Sequence, residues 1–188
     1  MNNQVSVAIL VGGRSSRMGR PKERIILKGN TDFMTGICQE FDDSFNRYLS
    51  VNPGQNYAVN GYQNVTDKYG NIGPMGAILS VLEMSGTPAV LVLACDMPFF
   101  GCSDALKLIN EYRGEDVLLA ETKSGIQPLA AIYSQAAAVW LKKYMDEGNY
   151  RLREAIFHMN YRKIYFEDEK PFININTEDE LNKYIRGI

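Results

Sequence analysis

Four cations fall within nine residues, Arg14, Arg17, Arg20 and Lys22, in a stretch that opens on the pair Gly12-Gly13. Paired glycines reach backbone conformations closed to other residues and let N–H groups come close to a ligand. Successive N–H groups form an anion-binding concavity, and neighbouring cations complete a site for phosphate. The chemistry to expect there is the grip of a polyphosphate. A second chemical position is Asp96, directly after Ala89-Val-Leu-Val-Leu-Ala-Cys95, the most continuous apolar run in the chain. A carboxylate at the end of a buried strand can hold Mg²⁺, which takes hard oxygen ligands, commonly one or two carboxylates with the rest from phosphate and water. Spacing excludes two other phosphate cradles. The G-x-G-x-x-G fingerprint is absent, and no P-loop forms because Gly19 is followed by Arg-Pro-Lys-Glu. His158, the only histidine, has no second histidine to build a triad around a Ser or Cys and is read as a helix-face residue.

These residues need elements to position them. Val5–Val11 reads as a buried strand ending at the glycine pair, which puts the loop at the C-terminal edge of a sheet, where open α/β folds bind ligands. Arg24–Leu27 is a short apolar segment, and Asp32 caps a helix through Phe33, Ile37 and Phe41. Tyr48–Val51 is a second strand ending at Asn52-Pro53-Gly54, and no element is assigned around Val59 and Val65. Gly73-Pro74-Met75-Gly76 precedes a helix over Ala77–Met84, stopped by Gly86 and Pro88. Beyond the strand Ala89–Cys95, Ser103 caps a helix over Asp104–Arg113, and strands are expected at Val117–Ala120 and Gln127–Tyr133. Helices follow at Ala136–Glu147 and Arg151–Met159, then a strand at Tyr161–Phe166. Phe172–Asn176 alternates, which puts Asn174 and Asn176 on one strand face, and Thr177–Glu180 forms a capping box for a last helix over Glu178–Ile185. Strands separated by helical patterns predict βαβ units and a mainly parallel sheet.

Bulk composition sets outer bounds. The 188 residues are 45% hydrophobic and 22% charged, which suits one domain over 1–188, with no repeat and no linker. A net charge of −2, from 20 basic and 22 acidic residues, supplies no field to recruit nucleic acid or an acidic membrane. Cys38, Cys95 and Cys102 make no C-x-x-C pair, so reduced thiols in a cytoplasm are expected. No apolar run approaches the ~18 residues of a membrane span.

The ordered pattern L-x-G-G-x-S-x-R-M-G-x-x-K, from Leu10 to Lys22, resembles the signature loop of the sugar-nucleotide-type nucleotidyltransferases, and within them most resembles the molybdenum cofactor guanylyltransferases, the MobA-like family. The resemblance implies a three-layer α/β/α Rossmann-like nucleotidyltransferase fold with a mainly parallel mixed sheet. It implies transfer of GMP from GTP to molybdopterin with release of pyrophosphate, Mg²⁺ as cofactor, and cofactor-assembly or molybdoenzyme partner proteins. Leu10, Val11, Gly12, Gly13 and Lys22 then bind the nucleotide, with Lys22 on the α- and β-phosphates and Arg17 and Arg14 in reach of phosphate. Cys95-Asp96-Met97-Pro98 matches the family's metal-binding C-D-x-P, which makes Asp96 the magnesium ligand. Asn52 matches the base-contacting Asn after the second strand. Asp67 is the candidate for the acid before G-P-L-x-G, with Asn71 competing, and Gly73 and Gly76 would allow close approach of ligand. The late F-x-N-x-N-T is matched by Phe172 to Thr177, placing Asn174 and Asn176 on the pterin side, with Asn176 a second metal-ligand candidate. Arg151 and Gln127 match further pterin-side positions. Pro21 stands where the family's G-x-D-K has Asp, and Val11 where Ala is commoner.

The acceptor phosphate in such a transfer is already a nucleophile, so a site without histidine suits it. Two rival readings stay open: a related nucleotidyltransferase using CTP on molybdopterin or an NTP on a sugar phosphate, and a non-catalytic nucleotide-binding partner in cofactor assembly.

Overall fold

The computed structural model describes residues 4–11, 26–28, 31–70, 72–175 and Glu180. The cationic loop with Gly12, Gly13, Arg14, Arg17 and Lys22, as well as Asn71, Asn176 and the expected last helix apart from Glu180, lies outside the described residues.

The principal sheet has seven strands: β1 (Val5–Leu10), β4 (Arg47–Val51), β5 (Tyr62–Thr66), β6 (Ala89–Ala94), β7 (Val117–Thr122), β8 (Gly125–Ser134) and β9 (Tyr161–Tyr165). Their spatial order is β5-β4-β1-β6-β8-β7-β9. Every neighbouring pair is parallel except those made by β8, which runs antiparallel between β6 and β7. A separate pair, β2 (Ile26–Lys28) and β3 (Thr31–Asp32), leads into helix α1 (Phe33–Gln39).

β1 and β6 are buried along their whole length, as continuous apolar strands covered on both faces must be. Side-chain alternation splits the core into two layers. Val7, Ile9, Leu49, Leu91 and Leu93 meet Met34 and Ile37 of α1 and Leu108 of α3 (Cys102–Glu111). Ala8, Leu10, Val90 and Val92 meet α2 (Pro74–Ser85), α4 (Gln135–Asp146) and α5 (Leu152–Phe157). Helices on both faces of a mixed, mainly parallel sheet make the expected α/β arrangement.

The helix ends show why local signals worked. Asp32 accepts a hydrogen bond from Thr35 N at 2.7 Å, the expected cap of α1. Gly86 ends α2 in the left-handed region at φ 62°.

Four expectations need correction. α3 starts at Cys102 behind Gly101, not at a Ser103 cap, because Asp104 reaches back to Gly101 N (3.0 Å) and Glu40 takes Cys102 N (3.1 Å). β5 carried no usable signal, since its only buried residue is Val65 and the strand lies at the sheet edge. Arg151–Met159 contracts to Leu152–Phe157, with Arg151 and His158 as the flanking cap residues. Over its described residues, 172–175, the expected strand Phe172–Asn176 does not form: a 3₁₀ turn covers Lys170–Phe172, and residues 173–175 form no ladder.

Candidate functional site

Three backbone hydrogen bonds carry the sheet one step past its strand ends. Val11 N donates to Ser50 O (2.9 Å), Cys95 N to Leu10 O (3.2 Å), and Asp67 N to Val51 O (2.8 Å). They bring Asp67, Asn52, Val11 and Asp96 to one edge, because β5, β4, β1 and β6 are parallel neighbours. Continuing that register sets Val11, where the chain leaves β1 for the glycine pair, opposite Cys95, so Asp96 lies one residue beyond it at the same C-terminal edge.

Asp96 occupies the turn after β6 and is half-buried. Its carbonyl accepts Ile175 N at 3.0 Å, which draws the segment holding Asn174 against this edge without a strand. Asn174 itself is exposed. Among the described residues no group of three or more His, Cys, Asp or Glu side chains could hold a metal. A single carboxylate such as Asp96 suits a divalent ion that draws its remaining ligands from phosphate and water, as Mg²⁺ commonly does.

Asp67 is 7% exposed. One of its oxygens, Oδ1, accepts the N–H groups of Tyr69 (2.9 Å) and Gly70 (3.2 Å), turning the chain sharply after β5. Ser80 of α2 supports the same turn, its hydroxyl 3.5 Å from that oxygen while accepting Lys68 N at 3.0 Å. Both glycines expected to admit ligand also have a local structural reason to be glycine. A Cβ on Gly76 would lie 3.0 Å from Asp67 Oδ1, Ile72 Cγ1 and Tyr69 Cβ, so Gly76 makes room for the protein's own turn. Gly73 has φ 80° and ψ −160°, and a Cβ there would meet nothing within 4 Å, so backbone conformation is what requires glycine. Asn52 opens a tight turn, its carbonyl taking Gln55 N at 3.0 Å and its N–H reaching Gln55 Oε1 at 3.2 Å.

The other half of the edge is a cavity of about 520 Å³ between Pro74, Pro128 and Leu129 on one side and Arg151, Leu152, Arg153 and Glu154 on the other. Its size falls within the range of small-molecule sites, roughly 300–1,000 Å³. The antiparallel course of β8 is what brings it here. Ala130 pairs with Leu93 near the end of β6, so the first residues of β8 come up beside the turn of Asp96.

Arg151 reaches this cavity, but its guanidinium donates to Glu154 Oε1 at 2.7 Å. That bond holds the Arg151 pKa above, and the Glu154 pKa below, their usual values. Gln127 turns its amide into the β7–β8 hairpin, 3.4 Å from Thr122 Oγ1 and from Gly125 O, and does not line the cavity. The residue that sequence reading passed over is Arg153, which lines the cavity and donates to Ile126 O at 3.1 Å. A buried Leu152 between two arginines at a helix start was the available signal. His158 is the exposed C-cap residue just past α5 rather than a helix-face residue, with the Tyr144 hydroxyl 2.6 Å from its Nδ1.

Comparison with known proteins extends this picture. A family model described as the MobA-like NTP transferase domain matches residues 7–162. A protein of Clostridium perfringens named as a probable molybdenum cofactor guanylyltransferase is 31% identical over 192 residues, covering 96% of each chain. The crystal structure of molybdopterin-guanine dinucleotide biosynthesis protein A from Archaeoglobus fulgidus superposes with a TM-score of 0.81 at 22% identity, covering 96% of this chain and 97% of that one. A 2-C-methyl-D-erythritol 4-phosphate cytidylyltransferase from Thermus thermophilus gives a TM-score of 0.72 at 14% identity, covering 97% and 98%. At such identities the two structural likenesses concern the fold alone.

Proposed function

The chain belongs to the MobA-like NTP transferase family, and on that premise we propose that it transfers GMP from GTP to the terminal phosphate of molybdopterin, releasing pyrophosphate. In this reading one domain over residues 1–188 carries both substrates. The observation that carries it is that Val11, where the glycine pair follows, and Asp96, in the turn one residue beyond the position opposite Val11, share one C-terminal sheet edge. The arginine-lined cavity lies at the same edge.

The nucleotide base is assigned to the β4–β5 side, where Asn52 and Asp67 stand. Asp96 would hold Mg²⁺, with Asn176 the candidate second ligand, and the bound ion would supply charge neutralisation at the phosphates. Lys22 and Arg17 would neutralise phosphate charge as the pyrophosphate leaves, and the amides of Gly12 and Gly13 would hold its oxygens. On the acceptor side Arg153 and Arg151 would attract the acceptor's phosphate, and Pro74, Pro128 and Leu129 offer apolar walls to its ring system. Asn174 and Gln127 flank this half of the edge. The attacking phosphate oxygen is already anionic, so no side chain has to remove a proton. Rate acceleration then rests on alignment and charge neutralisation, as phosphoryl-type transfers generally do.

A pyrophosphate-release assay with GTP, CTP, UTP and ATP, each with molybdopterin and with a sugar phosphate, tests the assignment. Release with GTP and molybdopterin is expected. Release with CTP alone would replace the guanylyl assignment with the cytidylyl one, and nucleotide binding without release would make the protein a non-catalytic partner.

A further inference from the structure

Asp67 is followed in the chain by two side chains, those of Lys68 and Tyr69, that converge on a single carboxylate. Lys68 Nζ donates to Glu83 Oε2 at 2.9 Å, and the Tyr69 hydroxyl donates to Glu83 Oε1 at 2.6 Å. Three residues before Glu83 on α2, Ser80 takes Lys68 N at 3.0 Å and meets Asp67 Oδ1 at 3.5 Å. Positions three apart lie on one helix face, so Ser80 and Glu83 form a rail along which residues 67–70 are fastened. Gly76, one turn earlier, leaves just enough room for the same turn, with 3.0 Å between a Cβ there and Asp67 Oδ1. The attachment is built from three residues of α2, all on the turn that follows β5.

We propose that Glu83 is a positioning residue for the nucleotide: by gripping Lys68 and Tyr69 it holds the turn in the one conformation that presents Asp67 to the binding edge. This rests on the reading that Asp67 touches the nucleotide. Lys68 and Glu83 have side chains 55% and 31% exposed, and ion pairs so placed contribute little to global stability. What the grip secures is therefore the position of Asp67 and not the fold. The hydrogen bond from Tyr69 keeps the Glu83 carboxyl below its usual range, and that same bond pushes the Tyr69 hydroxyl up to about 12. Carboxylate and phenol thus stay acceptor and donor through neutral pH.

The test uses the full chain with Glu83→Ala and Tyr69→Phe, each alone and combined with Asp67→Asn, read as KM for GTP, KM for molybdopterin, kcat and melting temperature. Glu83→Ala should raise the GTP KM about three- to tenfold, with kcat and the molybdopterin KM unchanged. Tyr69→Phe should do the same more weakly. On the Asp67→Asn background either change should add less than about twofold, since the residue being positioned is already altered. An unchanged GTP KM in Glu83→Ala, with a raised one in Asp67→Asn, overturns the proposal while Asp67 keeps its nucleotide role. Unchanged values in both remove Asp67 from the nucleotide site and the proposal with it. An undiminished Glu83→Ala effect on the Asp67→Asn background, or a matching loss of kcat and acceptor affinity, assigns Glu83 a general structural role and overturns positioning.

Discussion

The half of the edge proposed for the nucleotide is laid out by backbone, and the half proposed for the acceptor by side chains. On β5, β4, β1 and β6 the positions of Asp67, Asn52, Val11 and Asp96 follow from parallel register and the three hydrogen bonds that prolong it. On the β8 side the cavity depends on where Leu129, Leu152 and Arg153 pack and on which carboxylate and carbonyl the two arginines select. A ladder holds a donor or acceptor to a fraction of an ångström whatever the side chains, which is what in-line attack at phosphorus needs. Packed side chains can be exchanged with the ladder intact, so acceptor preference is the easier property to alter.

The largest effect should come from the residues proposed to act on metal and phosphate. Asp96→Asn, or Lys22→Met, should lower kcat by about a hundredfold or more, measured as pyrophosphate release at saturating substrates, with the melting temperature unchanged. Normal turnover in Asp96→Asn with Mg²⁺ would break the nucleotide half of the comparison. Next, Arg153→Ala should raise the molybdopterin KM about tenfold while the GTP KM stays constant. A rise in both would mean that the two halves are not separable. Gly76→Ala, which sets a Cβ 3.0 Å from Asp67 Oδ1, should raise the GTP KM about fivefold and spare molybdopterin, the opposite asymmetry.

Gly73→Ala sharpens the contrast between glycines. Its cost is backbone strain at φ 80°, about 1–3 kcal/mol in a denaturant titration, with no clash to relieve.

The smallest effect should come from far outside both halves. Glu115 precedes β7, remote from the C-terminal edge, and is buried with hydrogen bonds from Arg113 N and Arg162. Burial raises its pKa, but backbone N–H groups and the Arg162 guanidinium outweigh burial and hold it below the ordinary 4.5. A depressed carboxyl stabilises the folded state fully above its unfolded pKa, and that contribution is lost as pH falls through the folded value. Wild-type stability should therefore decline below about pH 4.5. Glu115→Gln should weaken that decline and leave both KM values at neutral pH unchanged, as urea titrations across pH and the release assay would report.

Local pattern was enough for much of this. Continuous apolar runs made β1 and β6 visible because a strand covered on both faces admits little else. Asp32 and Gly86 announced helix ends because capping is decided by one residue and its near neighbours. Asp96 stood out for the same reason, as a carboxylate at the limit of such a run. The edge strand β5, polar along most of its length, had no periodicity to read, and the alternation beginning at Phe172 is not matched by a ladder over residues 173–175, where Ile175 N instead donates to the Asp96 carbonyl.

Only tertiary structure decided the direction of β8, and with it the cavity, because strand direction is chosen by pairing with β6 and β7 and not by the residues of the strand alone. It also decided that Arg151 is paired with Glu154, that Arg153 joins the cavity wall, and that Asp67 is served by Ser80 while Glu83 holds its neighbours. The chain itself determined which residues carry charge, cap helices and fill strands, since those depend on side-chain chemistry and spacing over a few positions. Which of them meet across the sheet edge depends on the packing of elements distant in sequence, and no local spacing encodes that.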